Sequence, residues 1–97
     1  MKFSDLQFRE LYDGKQAIVD FGKHICSIIS HSSSYGGKDG LYEICMDCEL
    51  PGITIANDTI KGYLTEADVS AILTKLVSIT GNEGVQVNEF RTVSIND

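Results

Sequence analysis

The alternation of apolar and polar residues along the chain predicts a small antiparallel sheet. Gln16–Phe21 alternates and is separated by a glycine-containing turn from His24–Ser30, which is rich in β-branched residues, so the two segments predict a β-hairpin. Leu41–Leu50 is the clearest strand, with its even-numbered positions predicted to face a core and its odd-numbered positions predicted to face water. Leu6–Leu11 is ambiguous between strand and helix.

Residues 65–80 carry every local signal of an α-helix. Thr65 is the expected N-cap, Asp68 completes a shortened capping box, and Gly81 is placed to end the helix. Apolar residues recur at helical spacing and predict one buried stripe. The stripe comprises Val69, Ile72, Leu73, Leu76 and Val77. The helix is therefore expected to pack across one face of the sheet.

The remaining segments predict connections and a tail. His31–Gly40 is rich in serine and glycine, which predicts a flexible loop without a regular element. Ile53–Ile60 could form a further strand, although Asn57-Asp58 favours a turn. Residues 84–97 alternate again and predict a C-terminal strand. That strand could join the sheet or pair with another subunit, which would give a homodimer.

Length and composition set the fold class and the expected compartment. A chain of 97 residues, 42% apolar and 23% charged, predicts a single globular domain over residues 1–97. The predicted class is α+β, with a three- or four-stranded antiparallel sheet, one helix on one face and an additional C-terminal strand. The chain shows no apolar run long enough to span a membrane and no signal-peptide pattern. We therefore expect a cytoplasmic protein without a membrane partner.

The net charge of −6 is concentrated in one part of the chain. Between Lys38 and Lys61 there are five acidic residues and no basic ones, namely Asp39, Glu43, Asp47, Glu49 and Asp58. Nucleic-acid binding requires clustered basic residues, so no direct binding to nucleic acid is expected. Two interpretations of the acidic stretch stay open, a solvated face and a docking surface for a basic partner.

Two stretches carry a resemblance to a known family. The sequences SYGGKDGLYE at Ser34–Glu43 and GYLTEADV at Gly62–Val69 resemble those of a family of small proteins from tailed bacteriophages. The resemblance extends over roughly Asp5–Leu76, but Gly22–Ile25 departs from the Asn-Gly-Tyr-Gly hairpin of that family. It implies a phage protein in the cytoplasm of a host bacterium and supplies no catalytic residues.

The cysteines offer a candidate metal site that strand geometry disfavours. Cys45 and Cys48 form a C-x-x-C pair, and Cys26, His24 and His31 could supply further zinc ligands. Residues i and i+3 of a strand point to opposite faces, however, and no second C-x-x-C follows. The sequence therefore predicts reduced structural thiols, with no metal site and no cofactor.

No catalytic constellation is expected either. His31, Ser32–Ser34 and Asp39 contain the residue types of a hydrolytic triad, but they lie in one loop without a strand-turn-helix elbow. Gly36–Lys38 lacks the spacing of a phosphate-binding P-loop, although a backbone nest for a small anion stays open. The chain is therefore predicted not to be an enzyme.

The leading hypothesis is a small accessory protein that binds and modulates or inhibits a host protein, such as a defence or nucleic-acid-processing factor. The predicted partner-binding residues are Glu43, Asp47, Glu49, Tyr35, Lys38 and Asp39. Tyr42 is predicted to be in the core, whereas Tyr35 and Tyr63 stay open between packing and interface roles. The alternative is an oligomer that captures a nucleotide signal at the glycine loop, and a DNA mimic ranks third.

Overall fold

Six strands and one α-helix form the regular structure of the part that the computed structural model describes, residues 1–54 and 57–87. The strands are β1 (Arg9–Leu11), β2 (Gly14–Asp20), β3 (Ile25–Ser30), β4 (Tyr42–Met46), β5 (Ile60–Leu64) and β6 (Val85–Val87). The helix α1 (Glu66–Thr80) lies between β5 and β6, and short 3-10 turns cover Phe3–Asp5 and Gly37–Asp39.

The strands form one antiparallel sheet, which confirms the predicted α+β class. Their order is β1-β2-β3-β4-β5. One edge of β2 pairs with β1 along its first half and with β6 along its second half. β2 to β5 account for the predicted three or four strands and β6 is the predicted C-terminal strand, whereas β1 lies in Leu6–Leu11, which the sequence left ambiguous between strand and helix. The predicted hairpin is confirmed as β2 and β3, paired from Lys15 with Ser30 to Asp20 with Ile25.

The core lies between α1 and one face of the sheet. Its buried residues are Val19, Phe21, Cys26, Ile28, Tyr42, Ile44, Met46, Ile53, Leu64, Val69, Ile72, Leu73 and Leu76. The even-numbered face of β4 is therefore in the core, as predicted, and Tyr42 is 5% exposed. The helical stripe is also confirmed, with Val77 partly buried at its margin.

The ends of α1 confirm the predicted caps. The Asp68 N–H donates to Thr65 Oγ1 (3.1 Å), and the Thr65 N–H donates to Asp68 Oδ2 (2.9 Å), which is a full reciprocal capping box. Gly81 ends the helix at φ +73°, where its N–H donates to the Val77 carbonyl. Hydrogen bonds to the carboxylate from the Thr65 backbone N–H and then from the Thr65 side chain lower the pKa of Asp68.

Two strand boundaries differ from the predicted ones. β4 ends at Met46 rather than Leu50, because Asp47–Leu50 leaves the sheet. The strand before the helix is β5 at Ile60–Leu64, whereas the sequence pattern placed a possible strand or a turn over Ile53–Ile60.

The predicted C-terminal strand is present over residues 85–87 and pairs with β2 of the same chain. Residues 88–97 of that prediction lie outside the described residues, and homodimerisation stays a prediction. Within residues 1–54 and 57–87, no helix combines the length and the apolar character needed to cross a bilayer.

Candidate binding surface

Two exposed tyrosines lie side by side at one end of β4 and β5. Tyr35 is 57% exposed and Tyr63 is 63% exposed. Their ring centroids are 6.5 Å apart, with the ring planes inclined at 33°. Exposed aromatic side chains in a pair are typical of interface anchors, because tyrosine contributes a large contact area at low conformational cost. The two residues that the sequence left open are therefore surface residues.

The loop that carries Tyr35 has a defined hydrogen-bonded structure. Ser34 Oγ accepts from the His31 N–H (2.9 Å) and donates to the His31 carbonyl (2.9 Å), which closes the first turn. Gly36 and Gly40, at φ +90° and +75°, then bracket the Gly37–Asp39 turn. The prediction that this segment holds no regular element is therefore wrong, because Gly37–Asp39 forms a 3-10 turn. Side-chain hydrogen bonds and glycines with positive φ stabilise the loop around that turn.

A close approach of two backbones joins this loop to β5. The Tyr63 N–H donates to the Tyr35 carbonyl (3.1 Å). A Cβ atom on Gly62 would lie 2.3 Å from the Cβ of Tyr35, and one on Gly36 would lie 3.0 Å from the Cα of Tyr63. Only glycine fits at these two contacts, so the two glycines set the distance between the tyrosines.

A β-bulge turns Tyr63 outward. Tyr42 pairs with Leu64 and Ile44 pairs with Lys61, so two β5 residues lie opposite the single residue Glu43. Within the bulge Tyr63 has φ +58°, a left-handed conformation that a bulky residue rarely adopts. Such conformations persist where the surrounding structure enforces them, and they are frequent at functional sites.

Glu43 lies beneath this surface and does not take part in it directly. It is only 6% exposed, and its Oε1 accepts from the Tyr35 N–H at 2.8 Å. Its Oε2 accepts from the Cys45 thiol at 3.1 Å. Glu43 was predicted as an exposed contact residue; this is wrong, because the loop and the bulge cover that part of the odd-numbered face of β4. The role of Glu43 as an internal support of Tyr35 is not evident from the sequence.

Charged groups of both signs surround the tyrosines. Asp58 and Lys61 line a groove of about 320 Å³ together with Tyr35 and Tyr63. Lys38 and Asp39 are exposed on the adjacent 3-10 turn, as predicted. We call Tyr35, Tyr63, Asp58 and Lys61 the tyrosine surface.

Gly62 was the one sequence signal for the tyrosine surface, since a glycine between strand-forming residues marks a bulge or a close contact between backbones.

The other predicted acidic residues lie elsewhere. Asp47 and Glu49 are exposed and follow the opposite end of β4, so they do not join Tyr35 in one contact patch. The predicted stripe of Glu43, Asp47 and Glu49 along one strand face is therefore wrong: one member is buried and the other two have left the strand.

The histidine and the serines of the residue set that resembles a hydrolytic triad bond within the loop or to its neighbour Asp13, whereas Asp39 is exposed on the 3-10 turn. His31 Nδ1 accepts from the Ser33 N–H (3.1 Å), and Asp13 Oδ1 accepts from the Ser32 N–H (3.0 Å). The Ser34 hydroxyl bonds the backbone of His31 rather than its ring.

Comparison of the chain with protein-family models, curated proteins and solved structures finds no match.

Proposed function

We propose that this protein is a small non-enzymatic accessory protein of a bacteriophage that binds a host protein and modulates or inhibits it. The tyrosine surface makes the contact. The phage setting rests on the resemblance of the SYGGKDGLYE and GYLTEADV stretches, and a host defence or nucleic-acid-processing factor is the proposed class of partner.

The observation that carries the proposal is the exposed tyrosine pair on a rigid support. Side chains that dominate protein interfaces are rigid, aromatic and held in place before binding, since ordering them on binding would cost affinity. Tyr35 and Tyr63 meet these conditions because Glu43, Gly36 and Gly62 fix the backbone beneath them. The flanking Asp58 and Lys61 supply polar groups at the rim.

The test is capture of host proteins from a bacterial lysate, quantified by mass spectrometry, with matched variants of the immobilised full chain. We expect Tyr35→Ala and Tyr63→Ala each to lower the recovery of the partner at least tenfold. Tyr12→Ala is the control, because Tyr12 is also an exposed tyrosine with positive φ, at +55°, and lies in the β1–β2 turn. Equal recovery with Tyr35→Ala and Tyr12→Ala would exclude the tyrosine surface.

The acidic residues require a separate arm of the same experiment. Reversal of Glu43 would disrupt folding because the side chain is buried, so it gives no information on binding. Asp47→Lys and Glu49→Lys alter exposed charges at the far end of β4 and test whether that end also contacts the partner. Unchanged capture with both variants would restrict the interface to the tyrosine surface.

A second candidate, capture of a nucleotide signal, draws on the same groove. A flat heterocycle between two rings needs about 7 Å, twice the usual carbon–carbon contact distance. The ring centroids of Tyr35 and Tyr63 are 6.5 Å apart with the ring planes inclined at 33°, so the pair must open slightly to admit a base, and Lys61 lines the groove beside them. Calorimetry with cyclic and ADP-ribose nucleotides tests this candidate; heat that disappears in Tyr63→Ala would support it, and no heat would remove it.

A further inference from the structure

Strand register brings three metal-ligating side chains together at the end of the sheet away from the tyrosine surface. β3 and β4 pair antiparallel with Cys26 opposite Met46. Extending that register by two residues places His24, just before β3, opposite Cys48, just after β4. The extension is partly maintained, because the Asp47 N–H donates to the Ile25 carbonyl at 3.2 Å.

The donor atoms converge closely. His24 Nδ1 lies 3.3 Å from Asp47 Oδ1 and 3.5 Å from Cys48 Sγ. All three ligand atoms lie within 4.8 Å of one another. Zinc bonds of about 2.0–2.3 Å to N, O and S place tetrahedral ligand atoms roughly 3.3–3.8 Å apart. Two of the three separations already match, and the third joins the side chains of Asp47 and Cys48, which are both exposed.

We propose that His24, Asp47 and Cys48, here called the edge site, bind a zinc-class divalent metal ion. The set of one nitrogen, one oxygen and one sulfur ligand suits Zn²⁺, since soft thiolates exclude Mg²⁺ and Ca²⁺ from such sites. Three protein ligands leave a fourth position for water or for a ligand from a partner, as in open zinc sites.

The edge site differs from the C-x-x-C site that the sequence suggested. Cys45 points to the other side of the sheet, where its thiol donates to buried Glu43, so it cannot reach the ion beside Cys48. Cys45 lies within β4 and Cys48 lies beyond its end, and the two thiols have different partners. Cys26 is buried in the core and is equally unavailable.

The test is cobalt and zinc binding to the reduced, untagged full chain after chelator treatment. We expect Co²⁺ to bind with 1:1 stoichiometry and to produce thiolate-to-cobalt charge-transfer absorption that Zn²⁺ abolishes. Cys48→Ser should lose this absorption, whereas Cys45→Ser should keep it.

His24→Ala and Asp47→Asn should weaken binding of the metal ion more than about tenfold, since even changes to residues beyond the ligands cost 10–100-fold in affinity. His31→Ala and Glu49→Gln are the controls and should bind as the parent does.

Two results of the metal-binding measurement would overturn the edge site. One is charge-transfer absorption that survives in Cys48→Ser or is lost in Cys45→Ser. The other is a parent chain that forms no 1:1 complex. A measurement on the unaltered chain covers variants that fail to fold: saturating Zn²⁺ should slow alkylation of Cys48 at least tenfold, as quantified by peptide mass spectrometry. An unchanged alkylation rate of Cys48 would equally reject the site.

Discussion

At the scale of single residues, the buried carboxylate of Glu43 connects β4 to the loop that carries Tyr35. Its two oxygens accept hydrogen bonds from the Tyr35 N–H and the Cys45 thiol. A glutamate is rarely buried unless it is partnered, and removal of the partner leaves the other polar group unsatisfied. Glu43 therefore supports the loop, and its negative charge does not belong to the surface that a partner would contact.

Glu43→Ala is expected to destabilise the protein by about 1–3 kcal/mol, because the Tyr35 N–H loses its buried acceptor. The control is Glu49→Ala, which removes an exposed acid and should change the free energy of unfolding by less than about 0.5 kcal/mol. Urea denaturation of both variants measures the difference. Equal stabilities would show that Glu43 does not hold the loop.

The three cysteines are expected to differ in reactivity. Burial, followed by the hydrogen bond and charge of Glu43, raises the pKa of Cys45 to about 12. Burial also raises the pKa of Cys26 to about 12. Cys48 is exposed, although desolvation and then the charge of Asp47 raise its pKa as well.

Under native conditions near pH 8, iodoacetamide should therefore modify Cys48 first and leave Cys26 and Cys45 largely unmodified, since the thiolate is the nucleophile and needs access. Peptide mass spectrometry over time measures the order. Denaturant should remove the differences between the three sites. Native modification of Cys45 before Cys48 would contradict the structure.

At the scale of secondary-structure elements, α1 depends on the reciprocal bonds between Thr65 and Asp68. Thr65→Ala should lower the free energy of unfolding by about 1 kcal/mol, the usual cost of losing an N-cap side chain. Thr74→Ala makes the same chemical change at an exposed position within the helix and should be neutral or slightly stabilising. Thermal and urea unfolding of both variants test the cap.

The cap also predicts a pH dependence. The pKa of Asp68 is lowered in the folded protein, so its contribution is fully present above the ordinary value of 3.8 and is lost as the pH falls through the lower folded value. The stability difference between the parent and Asp68→Ala should therefore be largest near neutral pH and shrink in acid. A difference that grows below pH 3.8 would contradict the assigned bonds.

The elements differ in how far the sequence predicts them. α1 and the β2–β3 hairpin are set by local signals, namely caps, periodicity and a turn, so the pattern alone locates them. β5 was missed because the bulge at Gly62 and Tyr63 breaks the alternation that marks a strand. The end of β4 was misplaced because the alternation of apolar residues continues to Leu50 beyond the last paired residue.

At the scale of the whole molecule, both candidate sites arise from contacts between distant segments. Tyr35 meets Tyr63 only after the loop closes on β5, and His24 meets Cys48 only through the register of β3 and β4. Local patterns carry no information on either pairing. The sequence therefore identified Lys38, Asp39, Asp47 and Glu49 as surface residues and left Tyr35 open, but it could not show which of these residues lie together.

The position of the edge site links metal binding to global stability. His24 precedes β3 and Cys48 follows β4, so an ion held by both connects two central strands of the sheet. A ligand that binds only the folded state, at a free concentration 100 times its Kd, stabilises that state by about 2.7 kcal/mol. Zn²⁺ should therefore raise the urea midpoint of the parent chain by a corresponding amount, less any binding to the unfolded thiols. Cys48→Ser should show no shift, whereas Cys45→Ser should shift as the parent does. A zinc-dependent shift that is equal in both variants would place the ion elsewhere on the chain.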